Sequence, residues 1–261
     1  MGLIDLHCHM LPGVDDGAKD LQMALDMAKV AVERQGISHI LLTPHHMDGQ
    51  YTNHKADVIE KTAQFQRELK SAGIPLTVFP GQEVHLTGDL IQAIDDDDIL
   101  FMDAQGKYLL LELPHSGVPS YTEDVVLELL SRGITPVIAH PERNHGFLKD
   151  PNLIYDFVDM GCLTQLTSSS YLGIFGHRVE DLTEKIVDAN LGFVFSSDAH
   201  NFKGRRFLLE NSFRKLSDMK GQRETELFQM QARAIINGDK VSYGDYKKIT
   251  DLKKKKRFWL F

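Results

Sequence analysis

Histidine, aspartate and glutamate recur at the ends of short apolar runs in this 261-residue chain, at spacings that suit a shared metal site. The first run ends in His7-Cys8-His9, where alternation along an extended strand sends both imidazoles to one side and the thiol to the other. Later runs end in Thr43-Pro44-His45-His46, Gly81-Gln82-Glu83, Leu111-Glu112, Ala139-His140-Pro141-Glu142-Arg143 and Ser197-Asp198-Ala199-His200. Asp15-Asp16-Gly17 follows the first run closely enough to lean over the same mouth. Imidazole with carboxylate and no thiolate suits manganese, iron or zinc in sites that keep positions open for water or substrate. Taking one residue from each of the pairs Asp15/Asp16 and His45/His46, nine ligands are too many for one ion, so two or three ions are expected. Such ions orient a phosphoryl oxygen, generate a nucleophile from water at neutral pH and stabilise charge during displacement. A lone histidine at a strand end is usually a hydrogen-bonded structural residue. Six runs converging on one chemistry are different, because burying several unpaired carboxylates together without cations is prohibitively costly.

The elements that must carry these residues read as alternating short strands and longer helices. The strand candidates are residues 3–6, 39–43, 76–79, 108–113, 135–139, 162–166 and 192–195, each short, aliphatic or β-branched, and bounded by glycine, proline or polar residues. Leu21, Ala24, Leu25, Ala28 and Val32 make one apolar helical face behind Asp20 as N-cap, with Gly36 as the stop. A second helix is expected over about 57–69. Ser120 and Glu123 have capping-box spacing ahead of 125–130, and Asp150-Pro151 supplies an N-cap and a first-turn proline. Seven strand–helix alternations predict an α/β fold, a seven-stranded (β/α)7 TIM-like barrel, whose active site lies at the carboxyl ends of its strands. Residues 1–250 are expected to form this barrel with its C-terminal helices, and 251–261 a separate tail.

Composition narrows the classes. Hydrophobic residues at 42% are ample for one large core, and the net charge of −8 argues against a nucleic-acid surface. The start has no basic region followed by an apolar stretch, and no run is long enough to span a bilayer, so a cytoplasmic protein is expected. Two cysteines, Cys8 and Cys162, make no disulfide framework. Neither belongs to a Cys-x5-Arg phosphatase loop, since position 14 is valine and position 168 serine.

Together, His7-x-His9, Asp15-Asp16-Gly17, the Thr-Pro-His45 strand end, Gly81-Gln82-Glu83, the His140-Pro141-Glu142-Arg143 segment and Ser197-Asp198-Ala199-His200 resemble the polymerase-and-histidinol-phosphatase (PHP) superfamily. The match is nearer its bacterial protein-tyrosine phosphatases of capsule and exopolysaccharide operons, the CpsB/YwqE type, and runs from Ile4 to about Arg206. The resemblance implies a distorted seven-stranded barrel, the PHP fold, and a trinuclear, usually manganese (Mn2+), site. It places the ligands on His7, His9, Asp16, His45, Glu83, Glu112, His140, Asp198 and His200. It also implies phosphate binding by Arg143 and Arg205, whose planar forks match phosphoryl oxygens as a lysine would not. The implied substrate is a phosphotyrosine protein, an autophosphorylating bacterial tyrosine kinase of a polysaccharide export pathway. Rival readings are a small-molecule phosphatase such as one for histidinol phosphate, a nuclease, and a non-catalytic module that binds the kinase.

Other features read as structural. Asp95 to Asp98 suit a solvated turn after the third helix. His39, His54, His85, His115, His145 and His177 stand outside the metal site, and Ser168-Ser169-Ser170-Tyr171 reads as a polar loop. The run from Lys253 to Arg257, continuing into Phe258-Trp259-Leu260-Phe261, has the basic-then-aromatic composition of a segment attracted weakly to anionic membrane surfaces.

Overall fold

A computed structural model describes residues 2–251. The elements run β1 (Leu3–Cys8), α1 (Leu21–Gln35), β2 (Ile37–Leu42), β3 (His45–His46), α2 (Lys55–Ser71), β4 (Thr77–Pro80), β5 (Glu83–His85), α3 (Leu90–Asp95), β6 (Tyr108–Glu112), α4 (Thr122–Ser131), β7 (Thr135–Ala139), α5 (His145–Lys149), α6 (Asn152–Met160), β8 (Leu163–Thr167), α7 (Ser168–Tyr171), α8 (His177–Asp188), β9 (Val194–Ser196), α9 (Leu209–Lys220) and α10 (Gln222–Asn237). Every strand pairing is parallel. The basic and aromatic tail lies outside the described residues. Among those described, no helix is long and apolar enough to cross a membrane.

The α/β alternation is as expected, but the strands do not form one seven-stranded sheet. Two of the expected strands are each split, giving a three-stranded sheet, β1-β2-β4, and a six-stranded sheet, β3-β5-β6-β7-β8-β9. The reason is local. Pro44 has no N–H to give to a ladder, and Gly81 approaches Leu41 so closely that a Cβ would lie 2.9 Å from Leu41 Cγ. Single backbone bonds bridge the breaks: Thr43 N to Cys8 O at 3.0 Å, Gly81 N to Leu42 O at 2.8 Å, and Glu83 N to Pro44 O at 3.1 Å. On the other side, Asp198 N donates to His7 O (2.9 Å) and His9 N to Ala199 O (3.0 Å), joining the end of β1 to the segment after β9.

Helix ends follow the sequence signals unevenly. The Asp20 carboxylate accepts from Met23 N at 2.8 Å, and Gly36 closes α1 in the left-handed conformation. The capping box at Ser120 does not form: α4 starts one turn-residue later, behind Tyr121, with no side-chain cap. Asp150 accepts from Asn152 N at the start of α6. The core is continuous. Leu109, Leu110 and Leu111 of β6 are all buried, as expected of a parallel strand covered on both faces. Behind β9, the rings of Tyr171, Phe195 and Phe228 stack at 4.9 and 5.0 Å. This packed base leaves the carboxyl ends of the strands as the place where polar side chains are buried together.

Candidate metal centre

All nine ligand candidates of the sequence analysis meet at those strand ends. Their nitrogen and oxygen atoms fall into four overlapping groups, each within 4.8 Å: His9, Asp16, His45 and His200; His7, His9 and Asp198; His7, Glu83 and His140; and His45, Glu83 and Glu112. Glu83 is the hub. Its Oε2 lies 3.2 Å from both His7 Nε2 and His9 Nε2 and 3.0 Å from His45 Nδ1, while its Oε1 lies 2.7 Å from His140 Nε2. Asp198 Oδ1 sits 3.5 Å from the same His7 and His9 nitrogens, and Asp16 Oδ1 lies 3.1 Å from His200 Nε2 and 3.4 Å from His45 Nε2.

The pairs the sequence left open separate in space. Asp15 turns inward to His9 Nδ1 (2.8 Å) and accepts from Gly17 N and His45 N, so it orients the backbone and the ring. Asp16 stays half exposed and faces His45, His200 and Arg205. His46, one residue on from His45, lies outside the four groups and nears Asp98 instead.

Cations fit this donor set on its own geometry. His7 Nδ1 faces Gln165 Oε1 at 2.8 Å and His9 Nδ1 faces Asp15 Oδ2, so each Nδ1 carries the proton. The two Nε2 atoms then point at each other across 3.0 Å and at the Glu83 carboxylate. Glu83 Oε2, His45 Nδ1 and His200 Nε2 are buried and, despite these short distances, make no hydrogen bond of regular geometry. A convergence of acceptors in a buried pocket calls for positive charge. Burial alone would depress the His45 pKa, yet Glu83, with Asp16 and Glu112, raises it to about 11. His7 is likewise raised to about 9, against its burial, by Glu83 and Asp198. Burial and the Arg143 charge instead push His140 down to about 4, and burial and the nearby His9 do the same to His200.

Both predicted phosphate arginines reach the cluster, and both hold Asp198. Arg143 Nη2 lies 2.7 Å from its Oδ2, and Arg205 Nη2 3.0 Å from its Oδ1, with Arg205 Nη1 3.3 Å from Asp16. Burial alone would raise the Asp198 pKa; the two guanidiniums outweigh it and keep the carboxyl well below the usual range. Each arginine keeps a buried Nε–H with no partner, and Arg143 lies over the Phe175 ring at 5.3 Å. His140 and Asp198 both have positive φ, 35° and 50°, a conformation uncommon outside glycine and concentrated at functional sites.

Three supporting residues were not legible as such in the sequence. Gln165, in the one strand thought to bring nothing, orients His7. His85 holds Glu112, its Nδ1 2.9 Å from Glu112 Oε2. Asp5 accepts from Ser197 N (2.9 Å) and Ser197 Oγ (2.5 Å), anchoring the segment that delivers Asp198. A glutamine between Leu163 and Leu166 in a buried strand was the available signal for Gln165. Asp98, read as solvated, instead accepts from Lys55 N and pairs with His54.

Comparison with known proteins gives a consistent picture. The family model for capsular polysaccharide synthesis, CpsB/CapC, matches residues 3–237. Tyrosine-protein phosphatase YwqE of Bacillus subtilis (strain 168) is 43% identical over 205 residues, covering 78% of this chain and 80% of that one. A putative tyrosine-protein phosphatase, CapC of Staphylococcus aureus, is 32% identical over 260 residues, covering 99% of this chain and all of its own. A crystal structure from work on YwqE of Bacillus subtilis and CpsB of Streptococcus pneumoniae, described as metal-dependent tyrosine phosphatases, superposes with a TM-score of 0.91 at 37% identity, covering 97% of this chain and 100% of that one.

Proposed function

The chain belongs to the CpsB/CapC family of capsular polysaccharide synthesis, and from that membership and the cluster at its strand ends we propose that it is a metal-dependent protein-tyrosine phosphatase. The observation that carries the reading is the joint placement of nine imidazole and carboxylate donors with two arginines whose Nε–H groups remain free. His7, His9, Asp16, His45, Glu83, Glu112, His140, Asp198 and His200 hold two to three ions, with manganese the first choice and iron or zinc compatible with the same donors. Bound there, the ions supply Lewis-acid charge to a phosphoryl group and lower the pKa of water.

The chain's own residues do the rest. Gln165 and Asp15 fix the tautomers of His7 and His9 so that both Nε2 atoms face inward. Arg143 and Arg205, anchored on Asp198, present remaining N–H donors to the phosphoryl oxygens and hold the group for in-line displacement. Tyrosine leaves easily, because a phenol has a pKa of about 10 and tyrosinate departs with little protonation. No buried acid is therefore required for the leaving group. The two parallel sheets, joined at both seams by backbone bonds, are read as one distorted barrel of seven strand positions. The substrate is phosphotyrosine on a protein, a tyrosine autokinase of the export pathway, and the site of action is cytoplasmic. Tail residues 253–261 add weak attraction to the anionic membrane face where such a kinase works.

The discriminating experiment compares turnover of a phosphotyrosine peptide, a phosphoserine peptide and histidinol phosphate by manganese-loaded protein. Preference for the phosphotyrosine peptide supports the proposal. Faster turnover of histidinol phosphate would move the assignment to a small-molecule phosphatase, and no turnover of any would leave a binding module.

A further inference from the structure

We propose that His46, His54 and Asp98 form an accessory divalent-cation site, separate from the nine-residue cluster, that takes zinc or a similar borderline transition metal. His46 follows His45 in β3, and the alternation of the strand turns its ring away from the cluster. Only 1% of it is exposed, yet beyond an approach to the Asn53 backbone neither ring nitrogen makes a hydrogen bond of regular geometry, a condition buried polar groups rarely tolerate. Its Nε2 faces Asp98 Oδ2 at 4.0 Å, and the same oxygen lies 2.6 Å from His54 Nδ1. The two imidazoles stand edge to face with centroids 6.0 Å apart.

Tetrahedral zinc with bonds of about 2.0–2.2 Å holds its ligand atoms roughly 3.3–3.5 Å apart, so the 4.0 Å gap between His46 Nε2 and Asp98 Oδ2 closes by about half an ångström around the ion. His54 must also turn and exchange its 2.6 Å contact with Asp98 for the ion, and its side chain is 59% exposed and free to do so. Two imidazoles and one carboxylate leave a position for water, a donor set that suits zinc and its neighbours better than calcium or magnesium.

The backbone behind the three side chains is already locked. Gln82, 1% exposed, donates from its amide to Asn53 O (2.6 Å) and Asp98 O (3.3 Å), and accepts from Leu100 N (2.6 Å). It thus clamps the segment before His54 to the one bearing Asp98. Asn53 in turn donates to His45 O at 2.8 Å, and Asp98 Oδ1 accepts from Lys55 N at 3.0 Å. Lys55 Nζ pairs with Asp97, which leaves Asp98 as the acid of the run that faces the histidines. A simple surface ion pair accounts for His54 and Asp98. It gives no account of His46 Nε2, buried and directed toward Asp98, which a cation does.

The test is the zinc and manganese content of full-length protein after equilibrium dialysis, by elemental analysis. Wild type should retain one equivalent more than His54→Ala and than Asp98→Asn, with both variants hydrolysing a phosphotyrosine peptide within about twofold of wild type. Cobalt in place of zinc should add visible absorption that both variants lose. Equal metal content in wild type and His54→Ala overturns the proposal. So does a loss in His54→Ala of more than one equivalent with activity falling in step, since that would make the trio part of the main cluster. His54 caps no backbone group through its side chain, so this variant remains informative even where Asp98→Asn disturbs the start of α2.

Discussion

Replacing Gln165 with leucine isolates how a metal ligand is oriented by a residue that never touches the metal. Gln165 is fully buried in β8, level with Ala139 of β7 and Val194 of β9, and its Oε1 accepts from His7 Nδ1 at 2.8 Å. Leucine has nearly the same volume but no acceptor. The His7 Nδ1–H is then left buried and unpaired at a cost of about 1–3 kcal/mol. Alternatively the ring moves its proton to Nε2, which removes the lone pair directed at the cluster. Outer-shell losses of this kind weaken metal affinity by roughly 10- to 100-fold. The metal-free fold loses the same partner of His7, a loss offset only in part because leucine also removes the Gln165 Nε2 donor, which has no partner of its own. Isothermal titration with manganese is expected to show the weaker affinity, while kcat at saturating manganese recovers most of its value and the melting temperature of metal-free protein falls modestly. Gln165→Glu restores an acceptor and should restore affinity. Wild-type affinity in Gln165→Leu would refute the argument and show that His7 is oriented by β1 alone.

Arg143→Lys and Arg205→Lys should each lower kcat/KM by about tenfold or more with metal content unchanged, since an ammonium keeps the charge but loses the planar fork; wild-type kcat/KM in both would place the phosphate elsewhere. The double change Cys8→Ala, Cys162→Ala should leave turnover within a small factor, because both thiols are buried and burial pushes Cys8 well above the usual thiol range and Cys162 to about 12; a trapped phosphocysteine is the contrary result. Metal uptake should release protons near neutral pH, about one to two per cluster, because His7 and His45 hold theirs to about 9 and about 11 in the metal-free protein. The sign follows from those raised values: their stabilisation of the metal-free fold is complete below 6.5 and is lost as pH rises through about 9 and above, whereas metal affinity increases over the same range. Thermal melts and titrations in buffers of different ionisation enthalpy would check both, and pH-independent uptake would contradict it. Removing residues 252–261 should abolish co-sedimentation with anionic vesicles at low salt while leaving hydrolysis of a soluble peptide intact; vesicles ignored by the full-length protein end the membrane proposal.

Much of this molecule is written in short-range patterns. Each proposed ligand but Asp16 sits within a few residues of its own strand, and a period of two fixes which neighbour shares its side, so His7 with His9 can be read one segment at a time. The capping of α1 by Asp20 and its stop at Gly36 are equally local. What depends on distance through space was not legible. Asp15 and Asp16 are indistinguishable by type and spacing; the loop after β1 turns one to His9 and the other to His200. Gln165 is a polar residue in a buried strand until β1 brings His7 beside it, 158 residues away in the chain. Arg143 and Arg205 could be matched to a phosphate by their chemistry, but their shared hold on Asp198 exists only once β7 and β9 flank the same mouth. The division into two sheets likewise required the close packing of Gly81 on Leu41 to be seen. Strand ends declare their chemistry because side-chain direction is a property of the local backbone; partnership is a property of the packed whole, where burial forces each charge to find its counterpart.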